Sequence, residues 1–323
     1  MPNRMSTKKY LACMTGLAIL QALLFSVKVT ASPNQQENNI TGTSTHDTAG
    51  LTNRYFAQII TPPPDSLHLD PFYKQYCNAV GIPIVGSEKV PPTALLTARD
   101  IVTYMLSGRS DIRAELVKEK GRVLVMAETE METDLPERRD WKKPAFNDQR
   151  LTPKERENYY KPGGIASMTD RGYWNQRARG MGGLITSCAE ENLLGYAGTR
   201  YYGENITVHE FSHNMMGAIE KIDPSLYNRI LAAYASAKEK GMYKDQYAIN
   251  TADEYWAEGT QWWFWSNFPF RDSIRNITIW SPASLKQYDP TLYQILSEVY
   301  IGHHNPADVY YKTHYTPAAN STH

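Results

Sequence analysis

The chain has 323 residues, 41% of them hydrophobic, which is ample for one domain with a large core. Its 34 basic and 34 acidic residues cancel and form no strongly basic stripe, which argues against nucleic acid as a partner. None of the three cysteines lies in a C-x-x-C pair, which argues against a cysteine-based zinc site.

The N-terminus has the layout of a secretory signal. Arg4, Lys8 and Lys9 precede an apolar stretch from Tyr10 to Val27, and Val29-Thr30-Ala31 offers the small residues of a cleavage site. The stretch is nearly long enough to serve as an uncleaved anchor, but Thr15, Gly16 and Gln21 dilute it. Residues 1–31 are therefore expected to be a cleaved signal peptide and the protein to be secreted. Cleavage removes Arg4, Lys8, Lys9 and Lys28, leaving 30 basic against 34 acidic residues, a net charge of −4. No later apolar run is long enough to cross a membrane, so no stable membrane insertion of the mature chain is expected. Cys13 leaves with the signal. Cys77 and Cys188, in an exported chain, suggest one disulfide, the alternative being two buried thiols. Sequons stand at Asn39, Asn205, Asn276 and Asn320.

Residues 32–68, polar and then broken by Pro62-Pro63-Pro64, are expected to form a disordered leader. A single folded domain is expected over 69–315 and a flexible tail over 316–323. Helical spacing of apolar residues predicts helices over 94–106 and 112–120, with Gly108 and Gly121 beyond their ends. Arg122-Val-Leu-Val-Met-Ala127 reads as a strand. Residues 129–163 are charged, punctuated by prolines and poor in apolar anchors, and read as an extended surface excursion. Buried-helix spacing runs from Ile206 to Ala218. Asp223-Pro224 opens another helix that Gly241 stops. Further helices are predicted from Thr251 through Phe264 and from Asp289-Pro290 through Tyr300. This order predicts an α+β fold, with a small sheet upstream of a mostly helical C-terminal half.

His209-Glu210-Phe211-Ser212-His213 is an H-E-x-x-H motif. On a helix the two histidines share one face, one turn apart, and can reach one metal. Glu210 beside them can take a proton from a water on the open side. A third protein ligand is required. No H-x-x-G-x-x-H extension follows His213, so acidic residues downstream are the candidates. Glu254 and Glu258 lie one turn apart on one predicted helix, so either can ligate while the other accepts the N–H of a ligand histidine. A phenol near the site can stabilise charge that develops on a carbonyl oxygen, and both Tyr243 and Tyr247 are placed to do so.

Together these residues resemble the gluzincin metallopeptidases, and within them the anthrax lethal factor catalytic domain-like family. The likeness rests on HEFSH at 209–213, on Tyr247-AINTAD-Glu254-YWA-Glu258, and on Tyr288-Asp289-Pro290 with Tyr293, covering roughly residues 200–300. It implies a zincin-like catalytic domain over 69–315 with Zn2+ as cofactor. His209, His213 and Glu254 become the metal ligands, Glu210 the general base, Tyr247 the oxyanion donor and Glu258 the support of the site. The expected activity is hydrolysis of peptide bonds in a peptide or protein substrate. That substrate could lie along an edge strand at Arg122–Ala127 or Gly183–Cys188. The alternatives are a catalytically silent zinc-binding or toxin-like module and a zinc hydrolase of a non-peptide bond.

Overall fold

Strands β1 (Gln75–Ala79), β2 (Ile82–Gly86), β3 (Arg122–Met126) and β4 (Ile185–Ala189) lie side by side in that order. The computed structural model that shows them describes residues 59–148, 151 and 153–300. The expected signal peptide (1–31), most of the leader (32–58), the tail (316–323) and the sequons at Asn39 and Asn320 lie outside the described residues. β1 and β2 form an antiparallel hairpin, and β3 and β4 add in parallel. The hairpin turns on Val80 and Gly81, both at positive φ, as a two-residue primed turn requires.

Alternate residues of the sheet face opposite ways. Cys77, Ile84, Val123, Val125 and Cys188 join the main core, while Val85, Leu124, Met126 and Ala189 pack with Tyr73 and Leu135 on the other face. Helix α1 (Pro92–Met105) carries Leu95, Ala98, Ile101 and Val102 into the main core, and α2 (Ser110–Lys118) adds Ile112 and Leu116. Ile59 and Ile60 pack against the same core, and Thr61 exchanges backbone hydrogen bonds with Tyr76. Ordered contacts therefore begin upstream of residue 69.

The stretch expected as a surface excursion differs from that reading. It holds α3 (Pro153–Asn158) and leads into α4 (Asp170–Arg177). Leu151, Tyr159, Ile165, Tyr173 and Trp174 form a satellite core there. Arg138 is buried, pairs with the fully buried Glu132, bonds Ser187 of β4 and donates to the Ile185 carbonyl at 2.8 Å. Aromatic rings and one buried ion pair anchor the segment, so its lack of aliphatic residues misleads.

After β4 come the short α5 (Glu190–Leu193), α6 (Ile206–Ile222), α7 (Pro224–Glu239) and α8 (Ala252–Trp263). A two-stranded ribbon follows, β5 (Phe270–Asp272) and β6 (Ile277–Ile279), and then α9 (Pro282–Tyr288) and α10 (Pro290–Val299). The class is α+β, with a small sheet ahead of a helical half. No helix among the described residues is long and apolar enough to cross a membrane.

The disulfide expected between Cys77 and Cys188 is not formed. Both are buried free thiols, one on β1 and the other on β4. Three strand spacings separate these strands, roughly 14 Å, while a disulfide needs Cα atoms no more than about 7 Å apart. Burial pushes each thiol up to about 12, so neither is a ready thiolate. Both cysteines should therefore resist alkylation in the folded protein and react once it is unfolded without reductant. Peptide mapping that finds a Cys77–Cys188 cross-link would contradict this topology.

Candidate metal centre

Helix α6 starts at Asn205, whose side chain accepts from the Val208 N–H at 3.1 Å. Ile206, Val208, Phe211, Met215 and Ile219 are buried and fix which face of the helix turns inward. That register places His209 and His213 together, 5% and 7% exposed, with ring centroids 4.9 Å apart. One ligand atom from each of His209, Glu210 and His213 lies within 4.8 Å of the others.

Helix α8 starts at Thr251, which accepts from the Glu254 N–H at 3.1 Å. One turn in, the indole N–H of Trp256 donates to the Ser212 carbonyl at 3.0 Å and holds α8 against α6. This sets Glu254 Oε2 at 3.0 Å from His209 Nε2 and 3.7 Å from His213 Nε2. His209, Glu210, His213, Tyr247 and Glu254 line one cavity together with residues 177–181.

Of the two candidate tyrosines, Tyr247 faces this cavity, and its O–H donates to Glu254 Oε1 at 3.0 Å. Tyr243 is fully buried elsewhere. Its O–H donates to Asp289 at 3.2 Å and its backbone N–H donates to the Tyr288 hydroxyl at 2.8 Å, while Tyr288 donates its own O–H to Asp272 at 2.7 Å. Asp289 also accepts from Tyr255 at 2.7 Å and caps α10 through the Leu292 N–H. The Tyr288-Asp289-Pro290 run is therefore a structural knot beneath α8.

Glu258 departs from its expected role. Its Oε1 stands 3.8 Å from His209 Nδ1, beyond hydrogen-bond reach, and its Oε2 accepts from Gln246 and Asn267 at 2.7 Å each. Gln261, one turn further along α8, takes the ring instead, with Oε1 2.9 Å from Nδ1. Sequence reasoning missed Gln261 because a glutamine inside an aromatic helix carries no metal-site signal. It also missed the Gly180-Met181-Gly182-Gly183 run. A Cβ on Gly182 would lie 2.8 Å from His213 Cδ2 and 3.0 Å from Glu210 Oε2, so only glycine lets this backbone approach. The edge expected for a substrate is also altered. β3 is interior to the sheet, and on β4 Ser187 already exchanges both backbone hydrogen bonds with Met181.

Burial dominates the electrostatics. It pulls His213 down to about 4, so that ring is neutral. His213 Nδ1 has no hydrogen-bond partner among the described residues. Burial also pushes Glu210 up to about 7. Burial opposes charge on His209, but the hydrogen bond to Glu254 and the nearby Glu210 outweigh it and raise the ring well above its ordinary value. Glu254 is the counterpart: burial disfavours its charge, yet the bonds and charges of His209 and His213 hold it below the usual carboxylate range. A buried imidazole without a hydrogen bond is costly. The other ring nitrogen of His213, Nε2, stands 3.7 Å from Glu254 Oε2, and with the second imidazole and an ionised carboxylate beside it forms a donor set that suits a divalent cation.

These buried His and Glu groups can hold a metal ion, and the two glutamates of α8 should differ in what they lose. Glu254→Ala removes a donor atom and should abolish most metal binding. Glu258→Ala removes a carboxylate bonded only to amides and should stay within about 10-fold of the parent. Metal titration of the two folded variants decides it, and weaker binding by Glu258→Ala would reverse the roles. In comparisons with known proteins, no family model matches the chain and no curated protein matches it, so the reading of this centre rests on its own geometry.

Proposed function

We propose that this protein is a secreted zinc-dependent metallopeptidase of the gluzincin type, with a zincin-like catalytic domain akin to the anthrax lethal factor catalytic domain-like family. The observation that carries this reading is the meeting of Glu254 with both motif histidines, 3.0 and 3.7 Å from their Nε2 atoms, in a cavity that Glu210 also lines. His209, His213 and Glu254 would hold the ion. Zinc, when bound, supplies Lewis-acid polarisation of a water and of a carbonyl oxygen. His213 suits its part because burial keeps the ring neutral, with the lone pair available.

The chain's own groups supply the proton transfers. Burial pushes Glu210 up to about 7 without a metal, and its carboxylate, lining the cavity, would accept a proton from an attacking water and return it to a leaving amine. Burial contributes most to that rise, and the carboxylates of Glu254 and Glu132 add to it against the opposing charges of His209 and Arg138. The Tyr247 phenol, held by Glu254 at 3.0 Å, is an O–H donor within the same cavity. Turned toward a scissile carbonyl, it would stabilise the charge that develops there. A silent binding module would have no use for a proton acceptor and an O–H donor lining the same cavity as the histidines.

Three variants separate these roles on a peptide-library digest. Glu210→Gln should keep its zinc and lose about 10²–10⁴-fold in turnover. Tyr247→Phe should keep its zinc and lose about 10²–10³-fold in kcat. Tyr243→Phe should leave kcat unchanged while lowering thermal stability, because it breaks only the Asp289 cluster. A Glu210→Gln enzyme with near-parental turnover would sink the mechanism.

A further inference from the structure

We propose that Gln261 is the positioning residue of the metal centre: its amide dictates which nitrogen of His209 carries the proton and which faces the metal. The side chain is fully buried on α8. One end of the amide lies 2.9 Å from His209 Nδ1. The other lies 3.1 Å from the Asn205 carbonyl, 3.4 Å from the Ser266 carbonyl and 3.3 Å from Glu204 Oε1.

The two ends of an amide are distinguished by their partners. Backbone carbonyls only accept, so the end facing Asn205 and Ser266 must be the NH2 group. The oxygen therefore faces His209. An amide oxygen only accepts, so His209 Nδ1 must be the protonated nitrogen. Nε2 is left facing Glu254 Oε2 at 3.0 Å, on the side where His213 stands.

The placement also explains why the group is an amide. A carboxylate at 261 would meet the Asn205 and Ser266 carbonyls and the Glu204 carboxylate with no hydrogen to offer them. Glu258 is a carboxylate nearby, but Gln246 and Asn267 hold it 3.8 Å from the ring. Gln261 couples two further points. Asn205 is the residue that caps α6, and its own N–H donates to the Ser266 carbonyl at 2.9 Å. The orientation of the ring is thus referred to the start of its own helix and to the end of α8.

This inference rests on His209 being a metal ligand and on no particular reaction. The test is long-range 1H–15N NMR of His209 in the zinc-loaded protein, with zinc affinity by chelator competition for the parent and for Gln261→Met. That substitution keeps the length of the chain and removes the acceptor. The parent should show a proton on Nδ1 and zinc on Nε2. Folded Gln261→Met should bind zinc about 10–100-fold more weakly, with its His209 Nδ1 proton exchanging faster. A proton on Nε2 in the parent overturns the proposal without recourse to any variant. Equal zinc affinity in parent and variant overturns it as well. A parent that binds no zinc overturns the metal reading together with this one.

Discussion

The indole of Trp256 reaches from α8 to the carbonyl of Ser212, inside the motif on α6, and the whole centre depends on that contact between two helices. Neither helix makes a site alone. α6 brings two imidazoles and a carboxylate, and α8 brings the carboxylate and the amide that meet the first ring on its two nitrogens. A net hydrogen bond contributes only about 0.5–1.5 kcal/mol, whereas each fully buried large apolar side chain contributes about 1.5–3 kcal/mol. Phe211 and Met215 on α6 and Trp256 on α8, all fully buried, thus outweigh any single hydrogen bond of the contact. The hydrogen bonds choose its register. A slip of α8 by one residue would turn its side chains by about 100° and carry Glu254 away from the rings and Trp256 away from the Ser212 carbonyl.

That division explains how so many ionisable groups survive burial. An isolated charge in such packing would be costly. Here His209 and Glu254 charge each other's environment favourably, His213 gives up its charge, and Glu210 drifts toward neutrality. Three buried groups and the half-buried Glu210 are thereby pushed to different protonation behaviour within one cavity. Two buried ion pairs, Arg138 with Glu132 and Arg179 with Glu191 at 2.6 Å, stand in the segment from β3 to α5. Arg138 also bonds β4 through Ser187 and the Ile185 carbonyl, and Arg179, beside the glycine run, donates to the Glu130 and Ala127 carbonyls.

The sequence made the site's skeleton legible because helical spacing is strict. An H-E-x-x-H on a helix with Val208, Phe211 and Met215 can face only inward, and the spacing from Tyr247 to Glu254 survives as a direct 3.0 Å contact. Asp223-Pro224 and Asp289-Pro290 were equally plain, since each aspartate caps the helix it precedes. Other features had no periodic signal. The β1–β2 hairpin turns on Val-Gly where Asn-Gly would have announced it. The ribbon of β5 and β6 has three residues per strand, too few for alternation to register. The pairing of Cys77 with Cys188 seemed natural from compartment alone, but strand order keeps them apart. The choice between Glu258 and Gln261 depended on what else each side chain could reach, which no spacing along one helix reveals.

Zinc-edge anomalous diffraction from the purified protein soaked with zinc tests the central claim most directly. The account predicts one strong peak at bonding distance from His209 Nε2, His213 Nε2 and a Glu254 oxygen. A peak instead among Glu204, His209 Nδ1 and Glu258, the other acidic group within 4.8 Å of that ring, would contradict it. So would the absence of any peak at α6.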